Sequence, residues 1–145
     1  MEKEKPLGKP ENINPELTRN FVNFIKEKSE AGPYKVEVKV GDKVVLIDVF
    51  PMVFPPRSDY SVSSKSVFET FGNLQGLEVA DIGSGSGVES IVAAMAGAKH
   101  VDAADINQQA VDCSKHNVEM NGLQNSIEVF YSDLFSNFPA KKYNL

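Results

Sequence analysis

Apolar runs of strand length alternate with helical patterns through the second half of the chain. Apolar runs lie at 77–82 and 101–104, and a third strand begins at residue 127. Helical patterns follow the first two runs, at 88–98 and 108–120. Residues 143–145 resemble the opening of a further strand. This alternation predicts an α/β fold in which helices cover the faces of a parallel sheet.

The first half of the chain has a different pattern. Residues 1–13 are polar and interrupted by proline and glycine, which indicates a flexible arm. Asn14 and Pro15 then form a helix-start signal, and apolar residues at helical spacing follow. Strict alternation at 34–40, a turn at Gly41 and a second run from Val44 predict a β-hairpin. The predicted units are therefore the arm, a helix and hairpin at 14–56, and a sheet domain at 57–145.

A glycine-rich turn follows the first apolar run of the sheet domain. Residues 81–87 read DIGSGSG and lead directly into the helical pattern at 88–98. Glycine permits positive φ and leaves no Cβ in the way of a ligand. The helix that follows offers free N–H groups and a favourable dipole to a negative group. The sequence therefore predicts a nucleotide-shaped site at the carboxyl edge of the sheet.

The spacing of the glycines decides between nucleotides. The dinucleotide pattern G-x-G-x-x-G fails, because Val88 stands where its third glycine belongs after Gly83 and Gly85. The G-K-S/T signature of a P-loop is also absent. Asp81 would repel a pyrophosphate, whereas it would attract the ammonium group of an amino acid. A NAD-dependent oxidoreductase is thus a disfavoured alternative.

These residues and three later segments resemble class I methyltransferases that use S-adenosylmethionine. DIGSGSG is similar to motif I of that family, and the stretch HVDAADIN at 100–107 resembles its second strand with the ribose-binding acid. The stretches at 117–123 and 127–135 resemble the following helix end and the third strand with its adenine contact. The resemblance covers roughly the second half of the chain. It implies a Rossmann-like fold, incomplete here, with S-adenosylmethionine as the cofactor.

Three of the candidate residues each allow two roles. Asp105 follows a strand and could grip a ribose hydroxyl pair, or it could cap the next helix, although Asn107 is the better cap. Ile106 could face the adenine or be buried at the strand end. Asp133 could accept the adenine amino group, with the Leu134 backbone serving a ring nitrogen, or it could belong to a turn. The candidate cofactor contacts are Asp81, Gly83, Ser84, Gly85, Gly87, Asp105, Ile106, Asp133, Leu134 and Tyr60.

A proline-stiffened run precedes the sheet domain. Residues 53–61 read VFPPRSDYS and resemble the segment that closes over the cofactor in HemK-type and related small-domain methyltransferases. The resemblance implies that Asp59, Tyr60 or Ser61 touches the methionine end of the cofactor. Tyr60 stands where the family usually has threonine. The alternative is a surface proline loop that leads into a helix.

No residue of the chain is predicted to be catalytic. HemK-type enzymes bind the acceptor nitrogen with an Asn/Asp-Pro-Pro-aromatic motif after the fourth strand, and this sequence has none. We therefore expect the N-terminal portion of a longer enzyme that methylates a nitrogen of a protein or an RNA. In this interpretation residues 57–145 are the N-terminal half of the cofactor-binding domain, and the chain is inactive by itself. The alternative is a non-catalytic module that keeps the cofactor pocket.

Composition narrows the partners and the compartment. A net charge of −5 argues against a broad electrostatic grip on nucleic acid. Cys113 is the single cysteine among 145 residues, which fits a reducing, cytoplasmic setting. Neither His100 nor His116 has a Cys/His cluster around it, so no metal site is expected. No signal peptide or membrane-spanning run is expected, and the oligomeric state is left open.

Overall fold

The computed structural model describes residues 14–40, 42–56 and 72–145. The predicted arm at 1–13, the turn residue Gly41 and the candidate contact Tyr60 with its neighbours Asp59 and Ser61 lie outside these ranges. The elements in chain order are helix α1 at Pro15–Ala31, strands β1 at Tyr34–Val40 and β2 at Lys43–Val49, strand β3 at Glu78–Ile82, helix α2 at Val88–Met95, strand β4 at His100–Asp105, helix α3 at Gln108–Met120 and strand β5 at Ile127–Tyr131.

A parallel sheet with strand order β3-β4-β5 forms the second half of the molecule. Residues 143–145, predicted to open a further strand, form no regular strand but run along the other side of β3. Here Asn144 N donates to Glu78 O and Ala80 N donates to Leu145 O, both at 2.8 Å. The chain at 143–145 therefore advances in the same direction as β3. Together with the helix α1 and the antiparallel hairpin β1–β2, this confirms the predicted α/β class.

Glycines end both helices of the sheet domain. Gly97 has a φ of 98°, and Ala98 N donates back to Ala93 O at 3.1 Å. Gly122 has a φ of 70° and closes α3 in the same way. These are the bonds of glycine-terminated helices, in which a left-handed residue lets the next N–H groups reach free carbonyls. Helix α2 consequently ends at Met95, before the predicted end at residue 98.

The hairpin shares one hydrophobic core with the sheet domain. Ile47 and Val49 of β2 are fully buried, as are Ile91 of α2 and Val101 of β4. Neither strand of the hairpin joins the parallel sheet, and β2 packs on α3. The hairpin thus lies on the helix that also supports the glycine turn. Among the described residues, no helix combines the length and apolar character needed to cross a membrane.

Candidate cofactor-binding site

Three glycines give the turn between β3 and α2 its shape. Gly83, Gly85 and Gly87 all have positive φ, at 81°, 54° and 81°. A Cβ added to Gly83 or Gly85 would meet no atom within 4 Å, so these two residues border open space. A Cβ on Gly87 would come within 2.4 Å of Ser114 Oγ on α3. The first two glycines therefore leave the backbone accessible to a ligand, whereas the third lets the turn pack against a helix.

Backbone hydrogen bonds hold the turn against β4. Gly83 N and Ser84 N both donate to Ala104 O, at 2.8 and 2.9 Å. Ser84 is only 1% exposed, and its hydroxyl has no hydrogen-bond partner among the described residues. Gly87 is buried as well. The predicted cofactor contacts of Ser84 and Gly87 remain predictions, and in this structure both residues are buried.

Asp105 connects the turn to the start of α3. Its Oδ2 accepts from Gly85 N and its Oδ1 accepts from Asn107 N, both at 2.9 Å. Asn107 is the N-cap of α3, because its own side-chain oxygen accepts from Gln109 N. The alternative role of Asp105 as the helix cap is therefore wrong. A carboxylate offers about four acceptor positions, so Asp105 can take two more donors from a ligand.

Asp81 lies at the end of β3 below the turn. Its Oδ2 accepts a hydrogen bond from Ser90 Oγ on α2. Burial raises the pKa of the Asp81 carboxyl to about 6, and the negative charges of Glu89 and Asp105 act in the same direction, although the Ser90 hydroxyl opposes them. Asp81 also lines a cavity of about 280 Å³ beside Leu145. A cationic group there would relieve the unfavourable charge.

Apolar side chains are exposed next to these acids. Ile106, directly after β4, is 59% exposed, so the alternative of a buried strand end is wrong. Leu134, after β5, is 66% exposed. Asp133 takes part in a turn, since Ser136 N donates to Asp133 O at 3.0 Å, and its side chain is exposed. Ser132 N donates to Asp105 O, also at 3.0 Å, which brings the ends of β4 and β5 together.

An acidic cluster lies on the opposite face of the sheet. Asp102 has a side chain that is 1% exposed, and its Oδ2 accepts from Lys141 Nζ at 2.7 Å and from Tyr143 OH at 2.8 Å. Burial alone would raise the pKa of Asp102, but these donors outweigh it and hold the pKa below its usual value. Oxygens of Asp102 and Glu128 lie within 4.8 Å of a His100 nitrogen. The sequence did not predict this grouping. Its central carboxylate, Asp102, already forms an ion pair with Lys141.

Sequence reasoning missed the buried amide of Asn117. Its side chain contacts both the hairpin and the glycine turn, yet the sequence indicated only the end of a helix at this position. The available signal was an asparagine in phase with Cys113 and Ala110 on the apolar side of α3. A polar side chain on a buried helix face needs specific partners.

The family of ribosomal protein L11 methyltransferases (PrmA) has a family model that matches residues 65–144, more than half of the chain. A ribosomal protein L11 methyltransferase of Caldanaerobacter subterraneus is 47% identical over 66 residues, which are 46% of this chain and 21% of the relative. The enzyme of that name from Bacillus pumilus is 30% identical over 141 residues, with 82% of this chain and 45% of the relative covered. The chain thus spans less than half the length of these curated relatives.

A solved structure supports the fold. The chain resembles the tRNA (uracil-54, C5)-methyltransferase of Pyrococcus abyssi, solved in complex with S-adenosyl-L-homocysteine, with a TM-score of 0.57 at 22% identity. The match covers 75% of this chain and 26% of that one. This likeness confirms a Rossmann-like methyltransferase fold, and the family match confirms the resemblance to class I methyltransferases. Because the family model covers more than half of its residues, this chain belongs to the ribosomal protein L11 methyltransferase family.

Proposed function

We propose that this chain forms the S-adenosylmethionine-binding part of a methyltransferase that modifies a nitrogen of a ribosomal protein. The carrying observation is Asp105, which connects the glycine turn to α3 and keeps acceptor positions free at the carboxyl edge of the sheet. The net charge of −5 favours a protein acceptor over RNA, because RNA is bound mainly through its phosphates. The names of the curated relatives agree with a ribosomal protein as acceptor.

The adenosine half of the cofactor fits the exposed edge. Asp105 would accept hydrogen bonds from the two ribose hydroxyls, which carboxylates bind well. The exposed side chain of Ile106 would pack on one face of the adenine. Asp133 and the Leu134 backbone, at the end of the neighbouring strand, would bind the amino group and a ring nitrogen. The open space beside Gly83 and Gly85 leaves room for the cofactor to approach the main chain of the turn.

The methionine half would lie toward Asp81. Its carboxyl group, with a raised pKa and a cavity beside it, suits the ammonium group of the cofactor. Residues 53–61 resemble the segment that closes over the cofactor in HemK-type enzymes, and Tyr60 in this segment would cover the methionine end of the cofactor. We further propose a division into an arm at 1–13, a helix and hairpin at 14–56, and the N-terminal half of the Rossmann-like cofactor domain at 57–145.

Orientation is the contribution of these residues to the reaction. When bound, S-adenosylmethionine supplies a methyl group on a positively charged sulfur, which leaves as a neutral thioether. Asp81 and Asp105 would hold the two ends of the ligand so that the methyl carbon faces the acceptor. Fixing this alignment removes an entropic part of the barrier. No residue of this chain is assigned to the acceptor nitrogen.

Two other functions are distinguishable from this one. An oxidoreductase would bind NADH, which the absent third glycine and Asp81 both disfavour. A module that binds the cofactor without catalysis would bind S-adenosylhomocysteine, yet the complete protein would transfer no methyl group.

We propose a cytoplasmic location, in keeping with a single cysteine that is buried.

Replacement of Asp105 tests the proposal. Asp105→Ala should weaken S-adenosylhomocysteine binding by about 1.5–3 kcal/mol, because hydrogen bonds to a charged group are lost. Asp112→Ala is the matched control, since Asp112 is exposed on α3 and bonds only Gln108 among the contacts described. Calorimetric titration measures both variants. Equal affinities for the Asp105→Ala variant and the unmodified chain would rule out the ribose role.

A further inference from the structure

The fully buried side chain of Asn117 makes three hydrogen bonds to main-chain groups. Its Oδ1 accepts from Asp48 N, and its Nδ2 donates to Asp48 O, each at 2.8 Å. The same Nδ2 donates to Ser86 O, also at 2.8 Å. The amide therefore pairs with both main-chain groups of one hairpin residue and with one carbonyl of the glycine turn.

The carbonyl of Ser86 lies between Gly85 and Gly87. These flanking glycines have positive φ and few steric restraints, so the turn has little rigidity of its own. Gly85 N is the group that donates to the carboxylate of Asp105. A bond from Asn117 to the carbonyl of the following residue, Ser86, thus restrains the turn whose Gly85 N–H bonds to Asp105, the proposed ribose-binding acid.

Other side chains on α3 and at its two caps bond to the hairpin or to the residues after it, and none of their described hydrogen bonds reaches the glycine turn. Asn121 Nδ2 donates to Leu46 O at 3.0 Å, and His116 Nε2 lies 2.7 Å from Asp48 Oδ2. Asn107 Nδ2 donates to Met52 O at 3.0 Å, directly after the hairpin. Of the hairpin anchors on α3, Asn117 is the one whose described bonds also reach the glycine turn.

We propose that Asn117 is a positioning residue that fixes the glycine turn in its ligand-ready form by tying it to the hairpin. The hairpin would then support the cofactor site through this amide. This inference rests on the proposed function, because it assigns the turn to S-adenosylmethionine. A donor that serves two acceptors at once restrains both, and loss of such indirect support weakens ligand binding.

The test compares Asn117→Leu with Asn121→Ala in the same chain of 145 residues. Leucine keeps the branched shape of asparagine but makes none of its hydrogen bonds. Asn121→Ala loses a bond to the hairpin and a bond to the main-chain carbonyl of Asn117, and removes no described bond to the turn. Amide hydrogen exchange reports on the turn at Gly85 and Gly87 without any ligand. Calorimetry reports the affinity for S-adenosylhomocysteine. Asn117→Ser is the second variant, because the smaller serine side chain fits the buried site if leucine disturbs the core.

The two readouts separate this inference from the proposed function. We expect faster exchange at both glycine amides and about tenfold weaker binding in the Asn117 variants, with Asn121→Ala close to the unmodified chain in both. Equal effects of the Asn117 and Asn121 variants would overturn the proposal. Failure of both Asn117 variants to fold, where Asn121→Ala folds, would also overturn it, because the amide would then be purely structural. If the unmodified chain binds no S-adenosylhomocysteine, the proposed function fails and hydrogen exchange alone decides the inference.

Discussion

Asp81 is a carboxylate held in surroundings that disfavour its charge. Burial raises its pKa to about 6, and Glu89 and Asp105 add further negative charge nearby. The group is ionised at neutral pH and takes up a proton as the pH falls through 6. A ligand ammonium would favour the ionised form. Binding and deprotonation of Asp81 are therefore expected to be coupled.

This coupling predicts weaker binding in mild acid. Between pH 7.5 and pH 5 the affinity for S-adenosylhomocysteine should fall by about tenfold, because most Asp81 is then protonated and no longer attracts the ammonium. Asp81→Asn should bind weakly and show a flat profile across the same range. Calorimetry at a series of pH values measures both proteins. A flat profile for the unmodified chain would contradict the role of Asp81.

Single residues were predictable where local geometry dictates them. Asn107 as a cap and Gly97 as a helix end follow from the backbone groups left free at helix ends. The burial of Ser84 and the bonds of Asn117 to the hairpin and the turn were not predictable, because they depend on elements that are distant in sequence. Asn117 and its partner Asp48 are 69 residues apart.

At the scale of elements, residues 141–145 are held next to β3 by charged side chains as well as by backbone hydrogen bonds. Lys141 Nζ contacts Glu78 Oε2 of β3 at 2.8 Å and Asp102 Oδ2 of β4 at 2.7 Å. Tyr143 also donates to Asp102. These contacts fix residues 141–145 next to the edge of β3. Lys141 is the residue among them that joins carboxylates of two neighbouring strands.

Removal of that lysine should loosen the edge. Lys141→Met should lower the free energy of unfolding by about 1–2 kcal/mol, since the buried Asp102 carboxylate loses a charged partner. The low end of the range applies because 33% of the Lys141 side chain is exposed. Lys142→Met, at the exposed neighbouring residue, is the matched control. Urea unfolding measures both variants.

The pH dependence gives this prediction a second readout. In the unmodified chain the lowered pKa of Asp102 adds stability above the ordinary carboxyl range, and this stability is lost as the pH falls through the lowered value. The difference between Lys141→Met and the unmodified chain should therefore be largest at neutral pH and shrink in acid. A difference that stays constant with pH, or equals that of Lys142→Met, would contradict the assignment.

Element types were more predictable than element partners. Strand, glycine turn and helix follow from apolar periodicity and from glycine at 83–87, and α3 begins and ends at the predicted residues. That β2 packs on α3 could not be predicted, because an alternating strand records which face is buried but not what covers it. The charged contacts of Asp102 were hidden for the same reason.

At the scale of the whole molecule, the glycine turn is supported by the elements that surround it. The glycine turn is held by β4 through Ala104 O, by α3 through Asn117, and by Asp105 at the sheet edge. The hairpin and the sheet share one core, so the support is continuous from β2 to the turn. An exposed apolar and acidic edge on such a support favours an adenosyl ligand.

Calorimetric titration of this chain with S-adenosylhomocysteine, with NADH as the control, tests the central claim most directly. Circular dichroism on the same sample establishes that it is folded. We predict saturable binding of S-adenosylhomocysteine with one site per chain and no binding of NADH. Binding of NADH instead, or no binding of either compound by a folded sample, would contradict the assignment of the glycine turn and Asp105 to an S-adenosylmethionine site.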